Sequence, residues 1–128
     1  GDRLVLTVDS ALLFGLGRAN LTPEGRDVMR RVSSALNETK GRIRVEGHTC
    51  DLAVGPGGEF RNTWWLSTAR ALTVLESPER QGMPPERPLA AGYGEYDPIA
   101  PNDSEPNRRR NRRVEFVIEK TRRPADAL

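Results

Sequence analysis

The segment "GRIRVEGHTCDL", Gly41 to Leu52, combines the pattern of a strand with a cluster of polar side chains at its end. Ile43 and Val45 alternate with charged residues, so successive side chains point to opposite faces and only one face is apolar. The segment predicts a strand that packs one face on a core. Its last residues include the only histidine and the only cysteine of the chain, His48 and Cys50.

Helix signals stand on both sides of this strand. Before it, Thr22 is a good N-cap, Pro23 suits the first helical position, and apolar residues recur at helical spacing, which predicts a helix from about Pro23 to Leu36. After it, "WWLSTARALTVLES" predicts a second helix. Its buried stripe is expected to contain Trp65, Leu66, Ala69, Leu72 and Leu75.

Three more strands complete the pattern. They are "RLVLTVD" (Arg3 to Asp9), "RPLAAGYGE" (Arg87 to Glu95) and "RRVEFVIEK" (Arg112 to Lys120), and the stretch 96–107 is predicted to be a long loop. The order strand, helix, strand, helix, strand, strand predicts an α/β fold. It is expected to be an α+β sandwich, with the helices packed on one face of one mixed four-stranded sheet.

Length and composition limit the class of protein. With 128 residues, of which 36% are hydrophobic and 30% charged, the chain is expected to form a single domain over 1–128. We expect its core at about 4–119 and a disordered tail at 120–128. No run of about 18 apolar residues is present, so the sequence predicts no membrane span. We expect the chain to be a fragment of a longer protein.

The cluster at the end of the central strand could be a metal site or a Cys–His nucleophile, and the sequence supports neither well. His48, Cys50 and Asp51 supply at most three metal ligands, whereas a structural zinc site takes four, so we predict no metal site. A Cys–His nucleophile needs an activating base and an oxyanion hole. With one histidine and no recognisable nucleophile turn, an enzyme ranks last. The plainer interpretation makes His48 a hydrogen-bonding residue and Cys50 a small, semi-buried side chain.

The segment "NRRRNRR", Asn107 to Arg113, carries five of the 20 basic residues. Nucleic acid is one partner for such a run. The aromatic content is only 5%, however, and no stacking platform accompanies the arginines. A solvated or anion-facing cluster therefore ranks above a nucleic-acid site, and we predict no nucleic-acid partner.

Three charged residues are predicted to converge where strand ends meet the start of the second helix: Asp51, Arg70 and Arg112. Such a place suits a small zwitterion, because a ligand carboxylate pairs with a guanidinium and a ligand ammonium requires an aspartate. The competing interpretation is that Arg70 is a solvated residue on the helix surface, as single charged residues usually are.

Five motifs in order carry a family resemblance: "LFGLGRANLTPEG", "VEGHT", "LSTARA", "AAGYGEYDPIAPND" and "NRRVEF". Together they resemble the OmpA-like peptidoglycan-binding domain family, over nearly the whole chain from about Leu4 to Glu119. Within the family, "GHT", the "W-x-L-S-x-x-R-A" helix start and "YGEYDPIAPN" favour the periplasmic domains of flagellar stator proteins of the MotB type. OmpA and Pal proteins and envelope parts of type VI secretion systems are close competitors.

The resemblance implies an OmpA-C-like fold and non-covalent binding of the diaminopimelate of the cell-wall stem peptide. Arg70 matches the family's binding arginine, whereas Cys50 occupies the position of its binding aspartate. The implied ligand-binding set is Thr49, Cys50, Asp51, Leu66, Ser67, Arg70, Asn111 and Arg112, and the implied loop-shaping set is Gly47, His48 and Trp64. A cysteine thiol is largely uncharged at pH 7, so Cys50 cannot neutralise an ammonium.

The resemblance also implies a location and partners. The domain is expected in the bacterial periplasm, tethered to the inner membrane by an absent N-terminal segment that would assemble with MotA-like stator subunits. A homodimer is expected, with no cofactor and no enzymatic activity. An alternative stays open: the exchange at Cys50 has weakened or abolished wall binding, and the domain serves dimerisation or contacts with other envelope proteins.

Overall fold

The computed structural model describes residues 3–55, 57–77 and 82–119 as a sheet with helices against it. In chain order the elements are β1 (Arg3–Asp9), a 3-10 turn (Ser10–Leu12), α1 (Pro23–Asn37), β2 (Arg42–His48), α2 (Thr63–Leu75), β3 (Pro88–Gly92), α3 (Glu105–Asn111) and β4 (Arg113–Glu119). The predicted tail at 120–128 lies outside the described residues. In the described part, no helix combines the length and the apolar character that a membrane crossing requires.

The four strands form one mixed sheet in the order β1-β4-β2-β3. β2 and β3 are parallel and are joined through α2, whereas β4 pairs antiparallel with both β1 and β2. The predicted mixed four-stranded sheet is confirmed. Because parallel strands end at the same edge, the loops that follow β2 and β3 leave the sheet together, beside the start of α2.

The core lies between the sheet and the first two helices. It is built from buried apolar side chains of three sources: Val8, Ile43, Val45, Val114, Phe116 and Ile118 from the strands, Met29, Val32, Leu36, Ala71 and Val74 from the helices, and Leu13 and Phe14 from the segment after the 3-10 turn. Along β2, Ile43 and Val45 lie in the core and alternate with the charged residues Arg44 and Glu46. The prediction of a strand with one apolar face is therefore confirmed.

Two glycines set the distance between α2 and the sheet. A Cβ on Gly47 would come within 2.1 Å of the Ser67 carbonyl oxygen, and a Cβ on Gly92 within 2.0 Å of Thr68 Oγ1. Only glycine permits this approach of helix and strand backbones. The close contact holds the helix directly over the ends of β2 and β3, which places the second turn of α2 at the edge of the sheet.

The prediction of a long loop at 96–107 was wrong, because α3 begins within it at Glu105. Ser104 caps this helix by accepting a hydrogen bond from the Asn107 amide at 3.3 Å, and Pro106 stands in its first turn. Both are ordinary helix-start signals. The arginine run therefore lies mostly in this short helix, and β4 begins at Arg113, one residue after the predicted start of the strand.

The predicted buried stripe of α2 was also wrong in part. Trp65 is 54% exposed and Leu72 is 42% exposed. The buried residues of this helix are instead Thr63, Leu66, Ser67, Arg70, Ala71 and Val74. The close glycine contacts place Ser67 and Thr68 against the sheet, and the two tryptophans of the helix, Trp64 and Trp65, are more than half exposed.

Candidate functional site

The loop after β2 is held against the loop after β3 by main-chain contacts. The Thr49 amide donates to the Gly94 carbonyl at 2.9 Å, and the Thr49 hydroxyl donates to the Cys50 carbonyl at 3.0 Å. Both residues are buried, and Cys50 is completely so. Cys50 was predicted to be semi-buried; the structure places its thiol beneath the surface, among residues that come from three elements.

Arg70 reaches this region from α2 and is only 4% exposed, so the prediction of a solvated surface arginine does not apply. Its Nε donates to the Arg18 carbonyl at 2.7 Å and its Nη2 to the Gly15 carbonyl at 3.2 Å. Its guanidinium carbon lies 4.9 Å from the centre of the Phe14 ring. The segment after the 3-10 turn therefore binds the edge of the guanidinium formed by Nε and Nη2. Among the described residues, no hydrogen bond uses Nη1.

Arg70 is a cation without a protein counterion among the residues described. Its contacts are carbonyl oxygens and an aromatic ring, and no carboxylate pairs with it. Burial lowers the pKa of Arg70 to about 10; the charge that Cys50 carries when ionised raises it, and repulsion by Arg112 lowers it. Arg70 remains charged at neutral pH, because this lowered pKa still lies well above 7.

Arg112 approaches the same thiol from the end of α3. Its Nη1 lies 3.5 Å from Cys50 Sγ, and its Nη2 forms a short ion pair with Glu105 on the exposed side of α3. The hydrogen bond to Glu105 raises the pKa of Arg112. Arg112 thus contacts Cys50 directly, whereas Arg70 is bound by the carbonyls of Gly15 and Arg18. We call Arg70, Cys50 and Arg112 the two-arginine pocket.

Asp51 is not part of this pocket in the structure. Its carboxylate accepts a hydrogen bond from Arg108 Nε at 2.9 Å, on the outer side of α3. Arg108 is fixed further by donating from Nη2 to the Asn102 carbonyl at 2.9 Å. The predicted convergence of Asp51 with Arg70 and Arg112 is therefore not seen, because the Asp51 carboxylate pairs with Arg108 and ties the loop to α3.

Three of the other predicted ligand residues are used internally. Leu66 is buried in the packing of α2. The Ser67 hydroxyl donates to the Trp64 carbonyl at 3.1 Å and accepts from the Gly94 amide at 2.9 Å. The Asn111 side chain accepts from the amides of Ile99 and Ala100 and donates to the Ala100 carbonyl and to Asn102 Oδ1. The polar groups of Ser67 and Asn111 are thus occupied by protein partners, and Leu66 belongs to the apolar packing.

The predicted loop-shaping residues lie beside the pocket. Gly47 permits the contact between β2 and α2. His48 stacks on Tyr93, with ring centres 4.8 Å apart, and Tyr93 is bound through its amide to the Gly47 carbonyl. Trp64 is exposed at the first turn of α2 and packs against Tyr96 at 4.7 Å. Their contacts join the β2 and β3 loops to the helix.

His48 contacts Glu46, not Cys50. His48 Nε2 lies 2.9 Å from Glu46 Oε1, on the face of the sheet opposite α1 and α2. Glu46 stands directly across from Glu115 on β4, and Arg44 and Arg113 bind the two carboxylates. Burial raises the pKa of Glu46, but hydrogen bonds from Arg44 and His48 outweigh it and hold that pKa below its usual value. We call these five residues the polar layer.

The polar layer contains the one metal-ligand grouping found in the described part of the chain. Glu46, His48 and Glu115 each offer one possible ligand atom, and these three atoms lie within 4.8 Å of one another. The carboxylates are already paired with Arg44 and Arg113. Because both carboxylates are neutralised by neighbouring guanidiniums, the arrangement is that of an ion-pair network, and we derive no metal chemistry from it.

Sequence reasoning missed two side chains that bind members of the predicted site, namely Glu105, which pairs with Arg112, and Arg108, which pairs with Asp51. Glu105 lies in the stretch 96–107 that was predicted to be a loop, and Arg108 follows it in the arginine run. The helix-start signals at Ser104 and Pro106 were the means to find both. Gly15 and Arg18 bind Arg70 through main-chain carbonyls, so their side chains give no indication of this role in the sequence. Their part in holding Arg70 depends on the path of the backbone.

Comparison with known proteins agrees with this geometry. The family model of the OmpA family matches residues 13–112, which include every member of the two-arginine pocket.

The chain belongs to the OmpA family.

Two solved structures share this OmpA-family fold closely. A MotB-like protein from Desulfovibrio vulgaris superposes with a TM-score of 0.86 at 34% identity, over 95% of this chain and 76% of that one. The cell wall anchor of the T6SS from Pseudomonas aeruginosa superposes with a TM-score of 0.83 at 30% identity, over 94% of this chain and 83% of that one. The predicted resemblance to MotB-type domains is confirmed.

Among curated proteins, Motility protein B of Bacillus subtilis is 32% identical over 122 residues, covering 91% of this chain and 45% of that protein. The chain spans about half the length of the curated relatives it matches first. Domains of this family are periplasmic, envelope-associated modules and not enzymes. Membership of this family therefore argues against the interpretation of Cys50 and His48 as a catalytic pair.

Proposed function

We propose that this domain binds peptidoglycan non-covalently and that the two-arginine pocket grips a carboxylate of the diaminopimelate-containing stem peptide. The observation that carries the proposal is Arg70, a buried guanidinium whose Nε and Nη2 bind carbonyl oxygens and which has no carboxylate partner among the described residues. A planar guanidinium binds a carboxylate through paired hydrogen bonds, and such bonds are strong where water is excluded. The match to the OmpA family supports the same ligand.

The biological role that follows is anchoring. In a longer protein, the domain would hold a flagellar stator or another envelope complex to the cell wall. The tether would be an inner-membrane segment outside this chain, and MotA-like subunits would assemble with that segment. The same proposal includes the formation of a homodimer by this protein. The likeness to MotB-type structures supports this role.

A second function is favoured by one observation, the neutral thiol of Cys50 at the position of the family aspartate. If that exchange abolishes wall binding, the domain serves as a dimerisation or interaction module. Restoring the carboxylate distinguishes the two functions, because Cys50→Asp would then create a retention on the wall that the natural sequence lacks.

The test is co-sedimentation of the 128-residue chain with purified peptidoglycan sacculi. We expect retention of the natural sequence and a loss of at least about tenfold in affinity for Arg70→Ala, since a charge-assisted hydrogen bond contributes roughly 1.5–3 kcal/mol. Arg87→Ala is the matched control. Arg87 also donates from Nε to a carbonyl, that of Gly41 at 2.7 Å, at the opposite end of β2. Circular dichroism confirms that each variant is folded.

Two results would contradict the proposal. Equal retention of the natural chain and a folded Arg70→Ala variant would remove the pocket from wall binding. No retention of the natural chain, together with retention of Cys50→Asp, would establish the interaction module instead.

A further inference from the structure

The outward face of α2 carries an apolar stripe that is open to solvent. Trp65, Ala69 and Leu72 recur at helical spacing and therefore share one face of the helix. Trp65 is 54% exposed and Leu72 is 42% exposed. α2 thus has a second apolar face besides the one that packs on the sheet, and exposed apolar patches mark surfaces that contact a partner.

A cleft lies beside the second half of this stripe. It has a volume of about 630 Å³ and is formed by α2 together with residues at the start of α1. Leu21, Ala69 and Leu72 give it an apolar wall, and Glu76 stands on its lining as well. Pockets of this size hold drug-sized ligands, so the cleft has room for an indole side chain.

The two charges that flank the stripe have opposite signs. Arg61 lies at the Trp65 end, where its guanidinium carbon is 5.0 Å from the centre of the Trp65 ring. Glu76 lies at the Leu72 end, as the C-cap of α2. Both side chains are exposed, and within the part of the chain that the structure describes neither forms an ion pair.

The stripe is complementary to itself when it is turned end over end. Its middle lies just before Ala69, equally far along the chain from Trp65 and Leu72. Arg61 and Glu76 are centred on the same point. In a dimer with a two-fold axis at this point, each residue meets its counterpart from across the centre. Trp65 of one copy then lies against Leu72 of the other, and each arginine meets a glutamate.

We propose that the outward face of α2 is the contact surface of the homodimer, with the α2 helices of two copies packed antiparallel about a two-fold axis near Ala69. Trp65 of each copy fills the cleft of the other. A small residue at the crossing lets the helices approach closely, and a crossing angle of about 20° keeps them in contact toward both ends. The inference rests on the homodimer of the proposed function, to which it adds the surface and the arrangement, and it is independent of wall binding.

One helix face per copy makes a small interface, so the dimer is expected to be weak and dependent on concentration. A weak contact is sufficient where two copies are held side by side. In the tethered protein of the proposed function, the effective concentration of one domain near the other is about millimolar.

The experiment measures the oligomeric state of the 128-residue chain by analytical ultracentrifugation over a range of concentrations. We expect an equilibrium between monomer and dimer. Arg61→Glu and Glu76→Arg should each weaken the dimer by about tenfold or more, because the symmetry turns two attractive pairs into two repulsive ones. Trp65→Ala should also weaken it, since the cleft of the partner is left unfilled.

An equimolar mixture of Arg61→Glu and Glu76→Arg tests the antiparallel arrangement directly. In a mixed dimer, opposite charges meet again at both ends of the helix pair, so we expect dimerisation to return to nearly its natural strength. Arg110→Glu is the matched control. It reverses one exposed arginine beside β1, at the other edge of the sheet, and should leave dimerisation unchanged.

Three results would overturn the inference. A natural chain that stays monomeric at about 1 mM, the effective concentration that a short tether provides, would refute it. Dimers that the two charge reversals leave unchanged, or that the mixture does not restore, would place the homodimer of the proposed function on another surface. A monomeric chain that co-sediments with phosphatidylglycerol vesicles would assign this face to a membrane.

These outcomes are separate from those that test wall binding. Retention on sacculi that is lost in Arg70→Ala would leave the proposed wall binding standing even if the natural chain were monomeric. Circular dichroism shows whether each variant is folded. If Trp65→Ala fails to fold, the reversals of the two exposed charges decide alone.

Discussion

Arg70 and Arg113 are equally hidden from water and yet have opposite surroundings. Arg70 is 4% exposed and Arg113 is 3% exposed. Arg113 forms an ion pair with Glu115, donates from Nη1 to the Asn111 carbonyl at 3.1 Å and donates from Nη2 to the Asp97 carbonyl at 3.0 Å. Arg70 has two carbonyl partners and an aromatic ring, and no carboxylate within the described residues.

Burial alone therefore does not identify a binding arginine in this protein. In the polar layer, every guanidinium has a carboxylate partner, so charge is balanced within the protein. In the two-arginine pocket, Arg112 is paired with Glu105, whereas Arg70 has no carboxylate partner within the described residues, and under the proposed function a ligand carboxylate balances its charge. A buried charge costs free energy unless it is paired, so the unpaired arginine is the one that a ligand stabilises.

The largest effect that tests this comparison is expected from Arg113→Met. Removing Arg113 leaves the Glu115 carboxylate without its partner, although that side chain is still 18% exposed. We expect a loss of about 3 kcal/mol in the free energy of unfolding, at the low end of the range for broken buried pairs. Urea denaturation followed by circular dichroism measures it.

A double variant provides the control for this prediction. Arg113→Met combined with Glu115→Leu removes both charges, and we expect it to recover most of the lost stability because no unpaired charge remains. If the single and double variants are equally destabilised, the pair itself is not what stabilises the polar layer.

A smaller effect is expected from acid on the polar layer. The pKa of Glu46 is held below its usual value by Arg44 and His48 despite burial. The folded state therefore binds this proton less readily than the unfolded state. Glu46 contributes stability above the pKa of an unfolded glutamate, and this contribution disappears as the pH falls through the lower, folded pKa.

The corresponding measurement is the free energy of unfolding from neutral pH down to about pH 3, where carboxylates titrate. We expect the decline in acid to be shallower in Glu46→Gln than in the natural chain. Equal pH slopes in the two proteins would show that Glu46 is not among the groups that link stability to pH.

The smallest effect is expected from Asp51→Asn. The pair with Arg108 is partly exposed, with 35% of the Asp51 side chain accessible, so its loss should cost less than about 1 kcal/mol of stability. Retention on sacculi should stay within about twofold, since no charge inside the pocket changes. A loss as large as that of Arg70→Ala would mean that Asp51 turns into the pocket when the ligand binds.

Much of the fold was predictable from local patterns. β1 and α1 were located to within a residue, because alternation and the Thr22–Pro23 start are local signals. The face of α2 was not predictable from hydrophobicity. Trp65 and Leu72 face outward because Gly47 and Gly92 bring the polar side of the helix down on the sheet, and that contact joins residues far apart in the chain.

For the site, the structure shows one contact within the predicted set and removes one member from it. Arg112 lies against Cys50, whereas Asp51 pairs with Arg108, and the binding roles of Arg70, Cys50 and Arg112 stay predictions. Asn111 and Ser67 belong to the same region, but their hydrogen bonds are used within the protein. Whether a polar residue is free for a ligand depends on which backbone groups surround it, and no motif carries that information.

By itself, the sequence determined the family, the order of the strands and first two helices, and the exchange of a carboxylate for a thiol at position 50. These follow from residue types and short-range spacing, which act before any tertiary contact exists. The tertiary structure alone decided that Asp51 is bound to Arg108, that Arg113 is neutralised and that Arg70 is not. Pairing of charges depends on distances of a few ångströms between segments remote in sequence, and only the folded chain sets those distances.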